Sequence, residues 1–137
     1  MTTTDNAIET ATEAAPATPS LFERIGGRAG LERIVPDVVA LHYMNPAIAP
    51  RFEGARKSRE ELTALAIDFF TAGLSGQPVY GGLSMPDAHA GMNVSAAEYT
   101  AVLDDILAGL QQHEVGQQEQ AELLYIAYGM KSEIVGR

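Results

Sequence analysis

The segment Ser95-Ala-Ala-Glu-Tyr-Thr-Ala-Val-Leu-Asp-Asp-Ile-Leu-Ala-Gly-Leu110 sets the secondary structure expected of the whole chain. Tyr99, Val102, Leu103, Ile106, Leu107 and Leu110 fall at i, i+3, i+4, i+7, i+8 and i+11, the spacing of a helix with one apolar face. Ser95 is placed to cap it, with Glu98 three residues on completing a capping box. Upstream, Ser58 and Glu61 repeat that signature at the head of a helix over Ser58–Leu74, whose face carries Leu62, Leu65, Ala66, Phe69, Phe70 and Gly73. Leu31, Ile34, Val35, Val38, Val39 and His42 predict a helix over Arg28–Met44. Pro36 removes a donor inside that run and predicts a kink, and Asn45-Pro46 stops it. Ser20 with Glu23 predicts a short capped helix through Leu21, Phe22 and Ile25, ended by Gly26-Gly27. Ile48–Gly54 reads as a loop or short turn with Phe52 at its end. Ser75–Ser84 holds Gly76, Pro78, Gly81 and Gly82 and is too punctuated for a regular element. Met85–Gly91 has room for one or two helical turns beginning at Pro86. After a polar connection over His113–Gln120, the last helix covers about Gln118–Ile134. Helices without a convincing strand make the chain all-α.

At 137 residues the length fits one domain around one core. Residues 1–19, rich in Thr and Ala and with Ile8 as the one large aliphatic, read as a disordered acidic tail that cannot offset its ordering entropy. The folded unit is then 20–137. Acidic residues outnumber basic ones 18 to 9, a formal charge of −9, which argues against nucleic-acid binding. The one basic cluster, Arg56-Lys57 and Arg59, runs straight into Glu60-Glu61. Without cysteine there is no disulfide, thiolate zinc site or thiol catalysis. No apolar run approaches the roughly 20 residues of a membrane span, and the N-terminus lacks the pattern of a secretory signal. These features predict a cytoplasmic domain without membrane attachment.

No Ser/His/Asp spacing, phosphate loop, HExxH or EF-hand pattern is present, so attention falls on the three histidines. His113, in Gln111-Gln112-His113-Glu114, reads as a solvated surface residue. His42 reads as a C-terminal imidazole facing the last carbonyls of its helix. His89 stands out, in Met85-Pro-Asp-Ala-His-Ala-Gly-Met92 after the irregular segment. A single imidazole on a short helix, facing an apolar pocket, is how haem iron is held in globins.

Six segments then resemble the group I truncated haemoglobins, in that family's order and near its spacing. They are Ser20-Leu-Phe-Glu-Arg-Ile-Gly-Gly27, Asn45-Pro-Ala-Ile-Ala-Pro-Arg-Phe-Glu-Gly54, Phe69-Phe70, Tyr80-Gly-Gly82, Ala88-His-Ala-Gly-Met92 and Glu133-Ile-Val-Gly136. The resemblance implies a shortened globin fold, a two-on-two helical sandwich around one haem b. It implies His89 as the protein ligand of the iron, and Phe52 as the aromatic packed on the haem face at the inter-helix corner. Phe69 and Phe70 would line the pocket and its gas tunnel, Leu62 the sixth-site neighbourhood, and Tyr80 the haem edge. Leu65 and Met92 complete the cofactor surroundings.

The departures bear on function. The family's Phe-Tyr pair on the second helix falls at Val38 and Val39, its distal Gln at Ala66, and a basic residue that reaches a haem propionate at Leu65. The distal pocket is then Val39, Leu62, Ala66, Phe69 and Phe70, without a hydrogen-bond donor. Tyr43, one turn beyond Val39, is the alternative donor if Pro36 turns the helix, and whether His42 reaches the site stays open. The expected function is reversible binding of a diatomic gas (oxygen, nitric oxide or carbon monoxide), as in oxygen binding and transport, served by a reductase, in a monomer or weak homodimer. A nitric-oxide dioxygenase-like activity, a haem enzyme using the apolar cavity for a small substrate, and a haem-free interaction module are the alternatives. Peroxidase chemistry is disfavoured, as no distal His or Arg is placed for acid–base help.

Overall fold

Serine hydroxyls begin four of the helices. The computed structural model describes residues 18–137, so all but the last two residues of the 1–19 tail lie outside the described residues. In chain order the helices are α1 Leu21–Arg24, α2 Gly27–Met44, α3 Ala49–Glu53, α4 Arg59–Ser75, α5 Met85–Ala88, α6 Ala96–Gln112, α7 Gln117–Gly129 and α8 Lys131–Ile134. Ser58 before α4 and Ser95 before α6 form complete capping boxes with Glu61 and Glu98. At Ser20 the box is only half made. Its hydroxyl accepts from the Glu23 amide, but the Glu23 carboxylate accepts from that hydroxyl rather than from backbone. No strand occurs among the described residues; Val94 and Val135 make one isolated parallel bridge.

Three expectations are corrected. Ile48–Gly54 contains a helix, α3, because the Asn45 carbonyl accepts from both Ile48 and Ala49 amides and Pro50 sits in the first turn. The last helix is two, separated at Met130, whose amide turns back to the Ala127 carbonyl. The short helix near His89 lasts one turn, within the expected length, but starts at Met85 behind a Ser84 cap and not at Pro86. Pro36 lies within α2, which runs through it as one helix.

The main packing joins α2 to α4, α2 to α6, and α6 to α7, so the α2/α4 pair lies on the α6/α7 pair. This is a two-on-two helical sandwich. One core cluster, Ile25, Leu31, Val35 and Val39, takes Ala66, Ile67 and Phe70 from α4. A second, Ile34, Val38, Leu110 and Leu123, closes α2 onto α6 and α7. Burying each such side chain stabilises the fold by about 1.5–3 kcal/mol. Two glycines set how closely the helices meet. A Cβ on Gly30 would lie 2.0 Å from the Ile25 carbonyl oxygen, and one on Gly109 would lie 2.4 Å from Val38 Cγ2.

Candidate functional site

The site is built around His89. Ser84 Oγ accepts from the Asp87 amide, Pro86 fills the first turn, and α5 ends after four residues with His89 as its C-cap. The imidazole Nδ1 lies 2.8 Å from the Met85 carbonyl oxygen. A carbonyl only accepts, so Nδ1 carries a proton, and in the neutral ring the lone pair is then on Nε2. Nε2 has no hydrogen-bond partner among the described residues. That is the tautomer of a metal-binding imidazole with its other nitrogen anchored to backbone.

The other expected lining lies on α4. Leu62, Leu65, Ala66, Ile67, Phe69 and Phe70 are all only half-buried, and Thr71 is the one residue of this helix fully enclosed. Helix α5 packs on α8 and not to any extent on α4, so His89 and the apolar face of α4 stand on separate supports. Phe69 meets Phe70 edge-on at 5.5 Å and Tyr80 edge-on at 5.3 Å, a continuous aromatic row. The Tyr80 hydroxyl donates to the Leu83 carbonyl, and partial burial pushes its pKa up. A Cβ on Gly82 would collide with that ring at 2.3 Å from its oxygen, which explains a glycine there.

The expected residues thus fall into distinct groups. Val39, Ala66 and Phe70 share the α2–α4 cluster, with Tyr43 packed beside them. Phe69, Phe70 and Tyr80 form the aromatic row. Met92 packs, as does Met85 that holds His89, against Val94, Tyr99 and Ile134. Phe52 lies at the α3 corner, stacked on His42 at 5.1 Å and tilted against Tyr43 at 5.7 Å. The Tyr43 ring also lies under the Arg59 guanidinium, at 5.2 Å.

Two histidine readings change. His113 Nε2 pairs with Asp37 Oδ2 at 2.7 Å, so it joins α6 to α2 instead of facing only solvent. His42 is buried and directs Nδ1 to the Asp105 carboxylate at 2.8 Å, not to helix-end carbonyls. Asn45 donates to both Asp105 oxygens at 3.2 and 3.3 Å. Burial outweighs the carboxylate and pushes the His42 pKa down, which keeps the ring neutral. A carboxylate inside the apolar run Val102–Leu107 was the available sequence signal for this buried partner.

Arg51, unremarked in the sequence, holds Glu98 through Nε at 2.7 Å and Nη2 at 3.0 Å, and donates from Nη1 to the Met92 carbonyl at 2.7 Å. That guanidinium, with the Ser95 amide, draws the Glu98 pKa down to about 2. Two surface clefts, of about 450 and 410 Å³, are lined by Leu103, Leu107, Leu124, Tyr125 and Tyr128 among others, and neither reaches His89. No described helix is long and apolar enough to cross a membrane.

A family model described as bacterial-like globin matches residues 20–135. The chain is 27% identical over 121 residues to the group 1 truncated hemoglobin of Tetrahymena thermophila, covering 87% of this chain and 97% of that one. It is 25% identical over 120 residues to the group 1 truncated hemoglobin of Nostoc sp. (strain MUN 8820), covering 86% and 98%. The fold superposes on the crystal structure of truncated hemoglobin from Tetrahymena pyriformis in its Fe(III) form, with a TM-score of 0.81, 22% identity, and coverage of 87% of this chain and 100% of that chain.

Proposed function

The chain belongs to the bacterial-like globin family, and from that premise we propose that it holds one haem b between His89 and the half-buried face of α4 and binds a diatomic gas. The observation that carries the reading is the state of His89: Nδ1 tied to the Met85 carbonyl at 2.8 Å, and Nε2 without a hydrogen-bond partner among the described residues. The donor set fits the cofactor. No group of three or more His, Asp or Glu among the described residues could hold a metal ion unaided. One imidazole suffices for iron that arrives with the four nitrogens of its own macrocycle.

When bound, the haem supplies an iron that takes up the gas. The chain supplies the rest. Met85 orients the His89 ring, and its hydrogen bond raises the basicity of Nε2. Phe69, Phe70 and Tyr80 offer an aromatic flank to a flat apolar ring system, and Leu62 and Leu65 extend it. Phe52, braced on His42, forms the corner. Val39, Ala66 and Phe70 make the gas side apolar, with no donor among them.

Reconstitution with haem tests this directly. The expected ferrous product is five-coordinate and high-spin with a Soret band at one haem per chain. His89→Ala should abolish stable uptake, or give a spectrum rescued by added imidazole. A chain that stays colourless on haem titration would favour the haem-free interaction module, for which Leu65 in place of a propionate-pairing residue is the motive. Unchanged iron ligation in His89→Ala would overturn the assignment of the ligand.

A further inference from the structure

One guanidinium joins three parts of the chain. Arg51 belongs to α3, adjacent to Phe52, and grips both Glu98 oxygens at 2.7 and 3.0 Å. The same group donates to the Met92 carbonyl at 2.7 Å and reaches the Asn93 carbonyl at 3.5 Å. Glu98 cannot drift, because its carboxylate also accepts from the Ser95 amide while its own amide bonds Ser95 Oγ. The Met92 carbonyl belongs to the turn that starts at His89, whose own carbonyl accepts from the Met92 amide. Beyond the turn, Asn93 takes a left-handed φ of 49° and donates to the Arg137 carbonyl, and the Gly136 amide donates to Val94. The segment is thus tethered at its far end by the C-terminus. Among the described residues, Arg51 is the one that hydrogen-bonds it to the α3 corner.

We propose that Arg51 is a positioning residue that fixes the chain leaving His89 relative to the corner carrying Phe52, and so sets the direction in which His89 presents Nε2. This rests on the haem reading above. A planar fork with three nitrogens serves carboxylate and carbonyl together, whereas a lysine ammonium is a single point of attachment. An ordinary exposed ion pair would end at the carboxylate and contribute little. The Met92 carbonyl makes this one different, since it carries the tether into the backbone three residues from the imidazole.

Three measurements on Arg51→Met, which keeps the apolar stem, test the role. The iron–imidazole stretch of the ferrous holoprotein should move or split by several wavenumbers. Haem transfer to an acceptor apoglobin should accelerate roughly fivefold, the worth of one favourable partly exposed ion pair. In the apoprotein, hydrogen exchange at the Met92 and Asn93 amides should quicken. Glu98→Gln, which leaves the Met92 contact, should shift the stretch less, and Arg51→Lys should not restore it. Should Arg51→Met fold poorly, the Glu98→Gln and Arg51→Lys spectra decide the matter in the same way. A stretch and a haem-loss rate unchanged in all variants, even with faster exchange, would reduce Arg51 to a surface staple and overturn the proposal. A wild-type protein with no iron–imidazole stretch, matched by His89→Ala, would instead overturn the haem reading itself and take the positioning role with it.

Discussion

Where α2 faces α4, Val39 and Ala66 meet in one apolar cluster and present only methyl groups. On the proposed haem reading, polarised oxygen bound beside them would gain a hydrogen bond from a donor, and neither side chain offers one. Val39→Tyr combined with Ala66→Gln should therefore slow oxygen release at least about tenfold, the equivalent of one ordinary hydrogen bond. Carbon monoxide, nearly apolar, should change much less. Stopped-flow displacement of oxygen by carbon monoxide measures both. A natural protein that already holds oxygen as long as the double variant would identify Tyr43, packed on the same cluster, as the donor.

At the level of helices, the α2–α6 crossing depends on a missing side chain. Gly109 faces Val38 so closely that an added Cβ would stand 2.4 Å from Cγ2. Neither can retreat, since Val38 is 8% exposed and its cluster partner Leu110 is fully buried. Gly109→Ala should destabilise the protein by about 1–3 kcal/mol, the usual cost of overpacking. Val38→Ala leaves room for the new methyl, so the double variant should be more stable than the sum of the two single losses by about 1 kcal/mol. Urea unfolding of the three variants decides it, and strict additivity would show that the helices slide apart instead.

For the molecule as a whole, acid stability follows from where the carboxylates of this acidic chain are held. The Arg51 guanidinium and the Ser95 amide draw Glu98 from 4.5 to about 2, and Arg24 and Ser58 lower Glu122 and Glu61 in the same direction. A carboxylate with a depressed folded pKa stabilises the native state above its unfolded value and loses that contribution as pH falls through the folded one. The unfolding free energy should therefore decline as pH drops from about 4.5 towards 2. In Arg51→Met the neutral-pH value should be lower and this acid decline shallower, because Glu98 then titrates nearer its ordinary value. A parallel pair of curves would show that the Arg51–Glu98 pair contributes nothing to folding.

The sequence by itself determined the long helices and the starts of α4 and α6, because Ser58/Glu61 and Ser95/Glu98 are local signals closed within one turn. The large apolar residues at helical spacing marked which segments pack, and the segments around His89 and Phe69-Phe70 marked the family resemblance. Local signals failed where a short element is held from outside. Helix α3 exists through the Asn45 carbonyl and the contacts of Arg51 and Phe52, none of which shows as periodicity. The face of α6 turned to α2 carries Asp105 and Gly109 beside Ile106 and Leu110, and the apolar pattern picked out only the latter two. Close helix approach selects for small residues, and a hydrophobicity pattern gives them little weight. Only the tertiary structure decided what the histidines do. His42 finds Asp105 across 63 residues, His113 finds Asp37 across 76, and His89 finds the Met85 carbonyl one turn back. An imidazole has two nitrogens and three possible protonation forms, so its role is fixed by its partners in space and not by its neighbours in the chain.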